Sequence, residues 1–372
     1  MINLDYASHT PVDARVLEEF CRVEREFHGN ALAAHGVGRV AQTEMNRVTA
    51  KMAELLNIRP SEIIFTSGAS ESNNLAIKGL TRAYKHVGKH ILSTCLEHPS
   101  VSGTLAALQE DGYDIELVKI LPDGKIDLAA LDAAIRPDTV LLCISAVDSE
   151  LGAIQPIAEI VKILAKHPHC HLHVDAAQAI GKIPVHFNGV STMSFSPHKF
   201  HGLCGSGVLV KREDVVLEPL IHGGAAQTIY RSGTPTLGLA AACCKALELS
   251  LDELDEHFKK VTRLRQYVLD GLKGYDLVRV NLADGGPYIL NLSVAGIKAI
   301  DFQSAMDKHG VAISVKSACS TDRSPSRPVM AVTRDKKNAR SSWRVSFSHL
   351  TTCEALDTFL AAFDAIYKEY YQ

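Results

Sequence analysis

Three side chains in this sequence, Cys319, Lys199 and Asp175, have types and positions suited to covalent or acid–base chemistry. Cys319 follows the apolar run "GVAIS" and precedes "STDRSPSRP", a composition typical of an exposed loop. With Lys316 and Arg323 nearby in sequence, its thiol could have a lowered pKa and act as a nucleophile. Composition alone leaves two other roles open, because cysteine is also a metal ligand and a small buried residue.

Lys199 and Asp175 each lie at the end of an apolar run that predicts a buried strand. Lys199 follows "TMSFS", and a desolvated lysine at such a position can form a Schiff base. Asp175 ends "HLHVD", where a buried carboxylate needs a partner. The protonated ring nitrogen of pyridoxal phosphate (PLP) is one such partner, and capping of the next helix is the alternative.

A third predicted strand, "EIIFTS", is followed by the small-residue turn "GASESNN". Gly68, Ala69 and Ser70 would lie where this turn opens a helix. The free N–H groups and the positive end of the helix dipole suit a phosphate group at that place. The alternative is an ordinary turn in which Ser70 is the helix N-cap.

The segment "HPHCHLHVD" carries four histidines and a cysteine and therefore resembles a metal site. Residues 169, 171 and 173 would share one face of a strand. Three neighbouring strand residues cannot complete a tetrahedral zinc site without ligands from other elements. We therefore predict no metal site, and we expect a polar strand start near an edge of the sheet.

The bulk composition is that of a globular enzyme-sized chain. It has 372 residues, 46% hydrophobic and 22% charged, and a net charge of −3, which gives no indication of nucleic-acid binding. No apolar run approaches the ~20 residues of a membrane span, and the N-terminus lacks signal-peptide features. We expect a cytoplasmic protein without membrane contact. Nine irregularly spaced cysteines without a C-x-x-C argue against a disulfide framework.

Strand-like and helix-like runs alternate from about residue 60 to 212, with seven predicted strands. This alternation predicts an α/β fold with a mainly parallel seven-stranded sheet covered by helices. A long helical stretch follows, then shorter strands and a closing helix at 353–371. We predict a large domain at 15–251 and a smaller α+β domain formed by 1–14 and 252–372. Ligands of open α/β sheets bind at the carboxyl ends of the strands.

Taken in order, the motifs of this chain resemble one enzyme family. They are "LDYASHTPVD", "IIFTSGASESNNLAIKG", "EHPSV", "HVDAAQAIGKIPV", "SFSPHKFHGLCGSG", "RSGT", "KSACS" and "SSWRVSFS". They are similar to the motifs of the cysteine desulfurases, which are class V, fold-type I PLP enzymes and homodimers. The "SACS" element resembles the branch that carries the longer cysteine loop.

The resemblance implies catalytic and ring-binding roles for five residues. Lys199 is the expected Schiff-base lysine, which then removes the Cα proton of the substrate. Asp175 would pair with the pyridine nitrogen, and Gln178 would donate to the phenolic oxygen. His98 would stack on the ring, and Arg344 would bind the substrate carboxylate as a bidentate fork.

The resemblance also implies a phosphate site and a reaction. The expected phosphate-side residues are Ala69, Ser70, Ser196, His198 and, donated across a dimer interface, Thr234. L-Cysteine would become L-alanine while Cys319 takes the sulfur as a persulfide. A protein sulfur acceptor would receive it, with iron–sulfur cluster assembly and tRNA thiolation among the possible pathways.

The chain departs from the family pattern where Asp148 and Ser149 replace a typical Asn-Asn pair. The resemblance puts Asp148 beside the phenolic oxygen and the substrate carboxylate, where like charges would raise its pKa or weaken substrate binding. Further departures in "GNALAAHG", at His9 and before "RSGT" suggest a divergent member. The alternatives are another class V enzyme, such as a selenocysteine lyase, another β-lyase or an aminotransferase, and a non-catalytic scaffold.

Overall fold

The computed structural model describes residues 1–224, 227–316 and 324–371. The strands are β1 (Ile2–Asn3), β2 (Ile63–Thr66), β3 (His90–Ser93), β4 (Asp114–Leu117), β5 (Thr139–Ser145), β6 (His171–Asp175), β7 (Thr192–Phe195), β8 (Gly207–Lys211), β9 (Val278–Val280), β10 (Ile289–Val294), β11 (Val311–Ala312) and β12 (Ser342–Ser346). The helices are α1 (Ala14–Glu26), α2 (Gly36–Leu56), α3 (Ala69–Ala83), α4 (Pro99–Glu110), α5 (Leu128–Ala134), α6 (Ile157–Leu164), α7 (Leu237–Asp252), α8 (Leu254–Gly271), α9 (Ala299–Lys308), α10 (Arg327–Thr333), α11 (Lys336–Arg340) and α12 (Cys353–Tyr371).

The large sheet has seven strands in the order β2-β8-β7-β6-β5-β3-β4. Only β8 runs antiparallel to its neighbours within this sheet, so the predicted seven-stranded, mainly parallel sheet is confirmed. Strands β5 and β6 are buried along their whole length, which explains the nearly continuous apolar sequence of β5. Helices α3 and α4 pack on one face, and α2 and α7 belong to the core of the other.

The register of the central strands brings their carboxyl ends to one edge of the sheet. Ser145 at the end of β5 is opposite Asp175 at the end of β6, and Asp175 is opposite Ser194 on β7. The residues that end or follow these strands are far apart in sequence but lie close together at the carboxyl ends of the strands, as predicted.

A second core surrounds the antiparallel sheet β12-β10-β9. Its centre is a group of aromatic rings in which Phe302 stacks on Trp343 at 4.7 Å between centroids, with Phe359 and Phe363 alongside. Leu4 near the N-terminus belongs to this core, whereas Val329 and Ala339 belong to the large one. The domain boundaries at 15 and 251 remain a prediction.

The histidine-rich strand start lies elsewhere than expected. Strand β6 pairs with β5 on one side and with β7 on the other, so it is central to the sheet. His171 and His173 are buried there, and burial lowers the pKa of both to about 4. The expectation of a position near the sheet edge was wrong, because apolar neighbours and hydroxyl partners accommodate these neutral rings. No helix within the described ranges is long and apolar enough to cross a membrane.

Candidate active site

The carboxyl ends of β2, β6 and β7 open into a cleft of about 1140 Å³, including the space at its mouth. Residues 7 and 8 of the N-terminal segment and Arg344 of β12 complete the wall. The structure brings nine residues predicted from the sequence together here: Gly68, Ala69, Ser70, His98, Asp175, Gln178, His198, Lys199 and Arg344.

Lys199 is the last residue of a single 3-10 turn that directly follows β7. Its Nζ donates to the carbonyl oxygens of Ala7 at 3.0 Å and Ser8 at 2.8 Å. The N-terminal segment is held against this turn because Thr10 donates twice to the carbonyl of His198. The amine is therefore positioned at the cleft wall by two backbone acceptors.

Asp175 keeps its carboxylate at the base of the cleft through two donors. Its Oδ2 accepts from Nδ2 of Asn73 at 2.8 Å, and its Oδ1 accepts from the N–H of Ala177 at 3.0 Å. Oδ1 of Asp175 therefore caps the turn that follows β6, which corresponds to the capping alternative. The other oxygen belongs to a side-chain network that extends into α3.

Asn73 is a site residue that the sequence argument did not single out. It is fully buried on α3, and its Nδ2 donates both to Asp175 and to Ser100 Oγ at 2.8 Å. Its Oδ1 accepts from His173 Nε2 at 3.0 Å and from the hydroxyl of Ser194. The sequence did contain a signal for Asn73: it is a polar residue on the buried face of an amphipathic helix, and a buried polar group requires hydrogen-bond partners.

His98 is the N-cap of α4 and joins the same network. Its Nδ1 accepts from the N–H of Ser100 at 3.1 Å and lies 2.8 Å from Ser100 Oγ. Since Ser100 Oγ also accepts from Asn73, its hydroxyl proton points to His98, which places the imidazole proton on Nε2. Burial lowers the pKa of His98, so the ring facing the cleft is neutral near pH 7.

The side of the cleft where the sequence predicts a phosphate is shaped by a close approach of two backbones. A Cβ added to Gly207 of β8 would lie 2.5 Å from the backbone of Gly68, so only glycine allows this contact. A Cβ on Gly68 would instead meet nothing within 4 Å. Open space therefore lies beside Ala69 and Ser70, in the first turn of α3, where backbone N–H groups lack intrahelical acceptors.

Of the other predicted phosphate-side residues, His198 lines the cleft, and Ser196 and Thr234 do not. Ser196 is buried below His198, with 2.8 Å between its Oγ and Nδ1 of that ring. Burial and then the Lys199 charge lower the pKa of His198 to about 4. Thr234 is exposed in a loop that Arg231 fastens to α3 through Glu71, at 3.0 Å.

Arg344 is buried to 1% exposure and held by both terminal nitrogens. Nη2 donates to Asp5 Oδ1 at 2.6 Å and to Ser8 Oγ at 2.9 Å, and Nη1 donates to the Ser149 carbonyl at 2.6 Å. Its Nε is buried without an acceptor among the described residues. Asp5, which fixes this guanidinium, was not predicted as a site residue.

Asp148 lies next to two lining residues, Val147 and Ser149, but is not part of the lining. Its Oδ2 accepts from the backbone N–H groups of Glu150, at 3.0 Å, and Leu151, so the carboxylate caps the turn after β5. Oδ1 is buried without a partner in the described chain. Burial and the charge of Glu150 raise the pKa of Asp148 to about 7. Its described hydrogen bonds are local, and its contact with cofactor and substrate stays a prediction.

We expect Asp148→Asn to stabilise the protein more at pH 8 than at pH 5. Between about pH 4 and pH 7 the unfolded chain loses this proton while the fold keeps it, so the free energy of unfolding falls as the pH rises. The amide keeps the acceptor for Leu151 and removes the charge, a gain of roughly 1–4 kcal/mol at pH 8. Urea unfolding at both pH values measures it. An equal gain at both would contradict the assignment, and Asp13→Asn, at the N-cap of α1, is the matched control.

Cys319 lies outside the described residues. The described residues on either side of it, Lys316 and Ser324, are 3.3 Å apart between Nζ and Oγ. Both line a pocket of about 670 Å³. This pocket shares His98 and Ser149 with the cleft. The described residues that flank Cys319 in sequence therefore lie beside the cleft.

Comparison with known proteins agrees with this architecture. The family model described as aminotransferase class-V matches residues 2–359. The chain is 37% identical to a cysteine desulfurase IscS of Neisseria meningitidis serogroup C, over 95% of this chain and 89% of that protein. It is 35% identical to a "NifS/IcsS protein homolog" of Lactobacillus delbrueckii subsp. bulgaricus, over 100% of this chain and 98% of that protein.

Solved structures of similar proteins support the same family assignment. A NifS-like protein superposes with a TM-score of 0.92 at 32% identity, covering 98% of both chains. A structure described as SspA in complex with cysteine superposes with a TM-score of 0.82 at 28% identity, covering 95% of this chain and 100% of that one. The chain therefore belongs to the aminotransferase class-V family and, within it, to the cysteine desulfurases.

Proposed function

We propose that this cysteine desulfurase binds PLP in the cleft and converts L-cysteine to L-alanine, with the sulfur carried as a persulfide on Cys319. One observation carries the proposal: Lys199 and Asp175, from the exits of adjacent strands, face one cleft beside the residues that flank Cys319. The activity for which the Neisseria relative is named and the cysteine in the SspA complex support L-cysteine as the substrate.

The residues present fit PLP at three separate points of the cleft. The open space beside Gly68 and the first turn of α3 suit the phosphate. Asp175, held by two donors, keeps a carboxylate where a pyridinium nitrogen needs one. Lys199 supplies the amine. The cysteine desulfurase family is PLP-dependent, and these residues are our proposed ligands in this chain.

PLP supplies an electron sink for the bond changes at the substrate Cα and Cβ. The chain supplies the acid–base groups and the orientation. Lys199 Nζ, positioned by the carbonyls of Ala7 and Ser8, takes the Cα proton and later returns a proton. Arg344, fixed by Asp5, provides a cation for the substrate carboxylate.

The sulfur step balances without another reactant. The Cys319 thiolate attacks the sulfur of L-cysteine, an S–S bond forms, and the Cβ–S bond breaks with its electron pair staying on carbon. Protonation of that carbon gives L-alanine, and Cys319 holds the persulfide. A protein sulfur acceptor then takes the terminal sulfur.

We also propose a homodimer, in which the exposed Thr234 of one subunit reaches the phosphate side of the other's cleft.

The proposal is tested by incubating the PLP-loaded protein with L-cysteine and a reductant and measuring alanine and sulfide. Parallel incubations with L-selenocysteine and with L-alanine plus a keto acid separate a selenocysteine lyase and an aminotransferase. We expect equal amounts of alanine and sulfide from L-cysteine. Amino-group transfer without sulfide release would favour the aminotransferase and overturn the proposal.

We expect Asp175→Asn to lower alanine formation by about 10²–10³-fold, because the ring nitrogen loses its counter-charge. One carboxylate oxygen also becomes an N–H₂ group that meets the donors of Asn73 or Ala177, which destabilises the fold by about 1–3 kcal/mol. Rates at saturating PLP and urea unfolding separate the two effects. Turnover within twofold of the unmodified protein would rule out the proposed pairing.

A further inference from the structure

We propose that Lys182 is a positioning residue that sets the orientation of the Gln178 amide in the cleft. Its Nζ donates to Gln178 Oε1 at 2.7 Å, and Gln178 Nε2 donates to the carbonyl of Ala7 at 2.8 Å. Lys199 donates to that same carbonyl at 3.0 Å. The four groups form a chain that runs from Lys182 to the amine of Lys199.

Lys182 acts from outside the cleft. Gln178 lines the cleft, whereas Lys182 lines a second cavity of about 520 Å³ behind it, and Lys199 borders both. Lys182 is only 6% exposed, and its Nζ lies 5.9 Å from the centre of the Tyr288 ring. A buried lysine is costly unless it is paired, so its contact with Gln178 requires an explanation.

The local sequence explains why the two side chains meet. Residues 176–183 form hydrogen-bonded turns after β6, in which Lys182 N–H donates to the carbonyl of Ala179 at 3.0 Å. These turns bring Gln178 and Lys182, four residues apart in sequence, within 2.7 Å of each other. Gly181 has a φ of +73°, and a Cβ there would lie 2.9 Å from Phe200, so the turn packs closely behind Lys199.

The donor pattern determines which end of the amide faces the cleft. A glutamine amide has nearly the same shape in both orientations, with an acceptor at one end and donors at the other. The charged Lys182 ammonium only donates and the Ala7 carbonyl only accepts, so Oε1 faces Lys182 and the N–H₂ group faces Ala7 and the cleft. The cleft therefore presents a donor, which suits an anionic oxygen on the ring of bound PLP. This step rests on the proposed function.

Burial and the nearby cations act on Lys182 itself. Burial, then the charges of Lys199 and Arg344, lower its pKa to about 7. Above that pKa the neutral amine gains an acceptor lone pair, but the Ala7 carbonyl, which only accepts, still requires the N–H₂ end of Gln178. The orientation is thus maintained on both sides of neutral pH.

We test the inference with Lys182→Met, which keeps the length and removes the donor. We expect the dissociation constant of PLP, measured on the apoprotein by fluorescence, to rise about tenfold. The pH midpoint of the visible absorbance of bound PLP should shift upward, because loss of a cation and of a donor to the ring oxygen favours the protonated form. Lys211→Met is the matched control, since Lys211 is equally buried and donates to the Val215 carbonyl at 2.7 Å.

A double-mutant cycle with Gln178→Ala distinguishes positioning from a general structural role. If Lys182 acts through Gln178, Lys182→Met should change PLP affinity by less than about twofold in the Gln178→Ala background. Additive losses, or an unchanged affinity and pH midpoint in the single variant, would overturn the inference. Should Lys182→Met not fold, Lys182→Leu, which also lacks a donor, is read in the same way.

The measurements do not depend on sulfur chemistry. A wild-type protein that binds PLP but releases no sulfur from L-cysteine refutes the proposed function and leaves the comparison of Lys182 variants interpretable. A wild-type protein that binds no PLP overturns both.

Discussion

We expect Lys199→Ala to remove the visible absorbance of the PLP-loaded protein and to lower alanine formation from L-cysteine by about 10³-fold or more. The side chain has two tasks in the proposed reaction, the Schiff base and the movement of the Cα proton. No other amine of the described chain lines the cleft. Arg344, also in the lining, cannot replace it, because a guanidinium stays protonated.

The measurement is an absorbance spectrum followed by an alanine assay at saturating PLP. Lys211→Ala is the control, since it removes a buried lysine from β8 that lies outside the cleft lining. We expect the control to retain both colour and turnover. A Lys199→Ala protein with the spectrum of the unmodified protein would contradict the Schiff-base assignment.

The second large effect is expected from Cys319→Ala. This variant should lose sulfide release and alanine formation by at least about 10³-fold, because no thiolate remains to take the sulfur. PLP affinity and the spectral change on addition of L-cysteine should persist, since the residues lining the cleft are intact. This separation of binding from turnover distinguishes a nucleophile from a residue that supports the fold.

The matched control removes another exposed thiol. Cys353 at the start of α12 is free and exposed, and Cys353→Ala should leave sulfide release unchanged. Sulfide release by Cys319→Ala at the rate of this control would refute the role of Cys319 and would favour direct elimination of sulfide by the remaining site.

The main sheet was predictable because strand-like runs alternate with helical segments along this part of the chain. The run "TVLLCISAV" becomes the fully buried β5, and "HLHVD" becomes β6 with Asp175 at its end. Because parallel strands end at the same side of the sheet, the residues that follow them lie together there. Lys199 and Asp175 could therefore be assigned to one cleft from the sequence. The motif resemblance supplied the phosphate-side residues that composition left ambiguous.

The partners of these residues were not predictable in the same way. Asn73 and Asp5 reach Asp175 and Arg344 through contacts 102 and 339 residues apart in sequence, which no local pattern indicates. Asp148 was expected in the cleft, but a nearby turn offers its carboxylate two backbone donors. Local hydrogen bonds therefore determine where the Asp148 carboxylate points, although the family pattern indicated the approximate location of the residue.

The most direct test of the central claim is a single-turnover reaction of the PLP-loaded protein with L-cysteine in the absence of a reductant. Mass spectrometry of the peptide that contains Cys319 and quantification of alanine would be made on the same sample. The proposed function predicts one added sulfur atom on Cys319 for each alanine formed. Alanine without sulfur on that peptide, or no alanine from a protein that binds PLP, would contradict it.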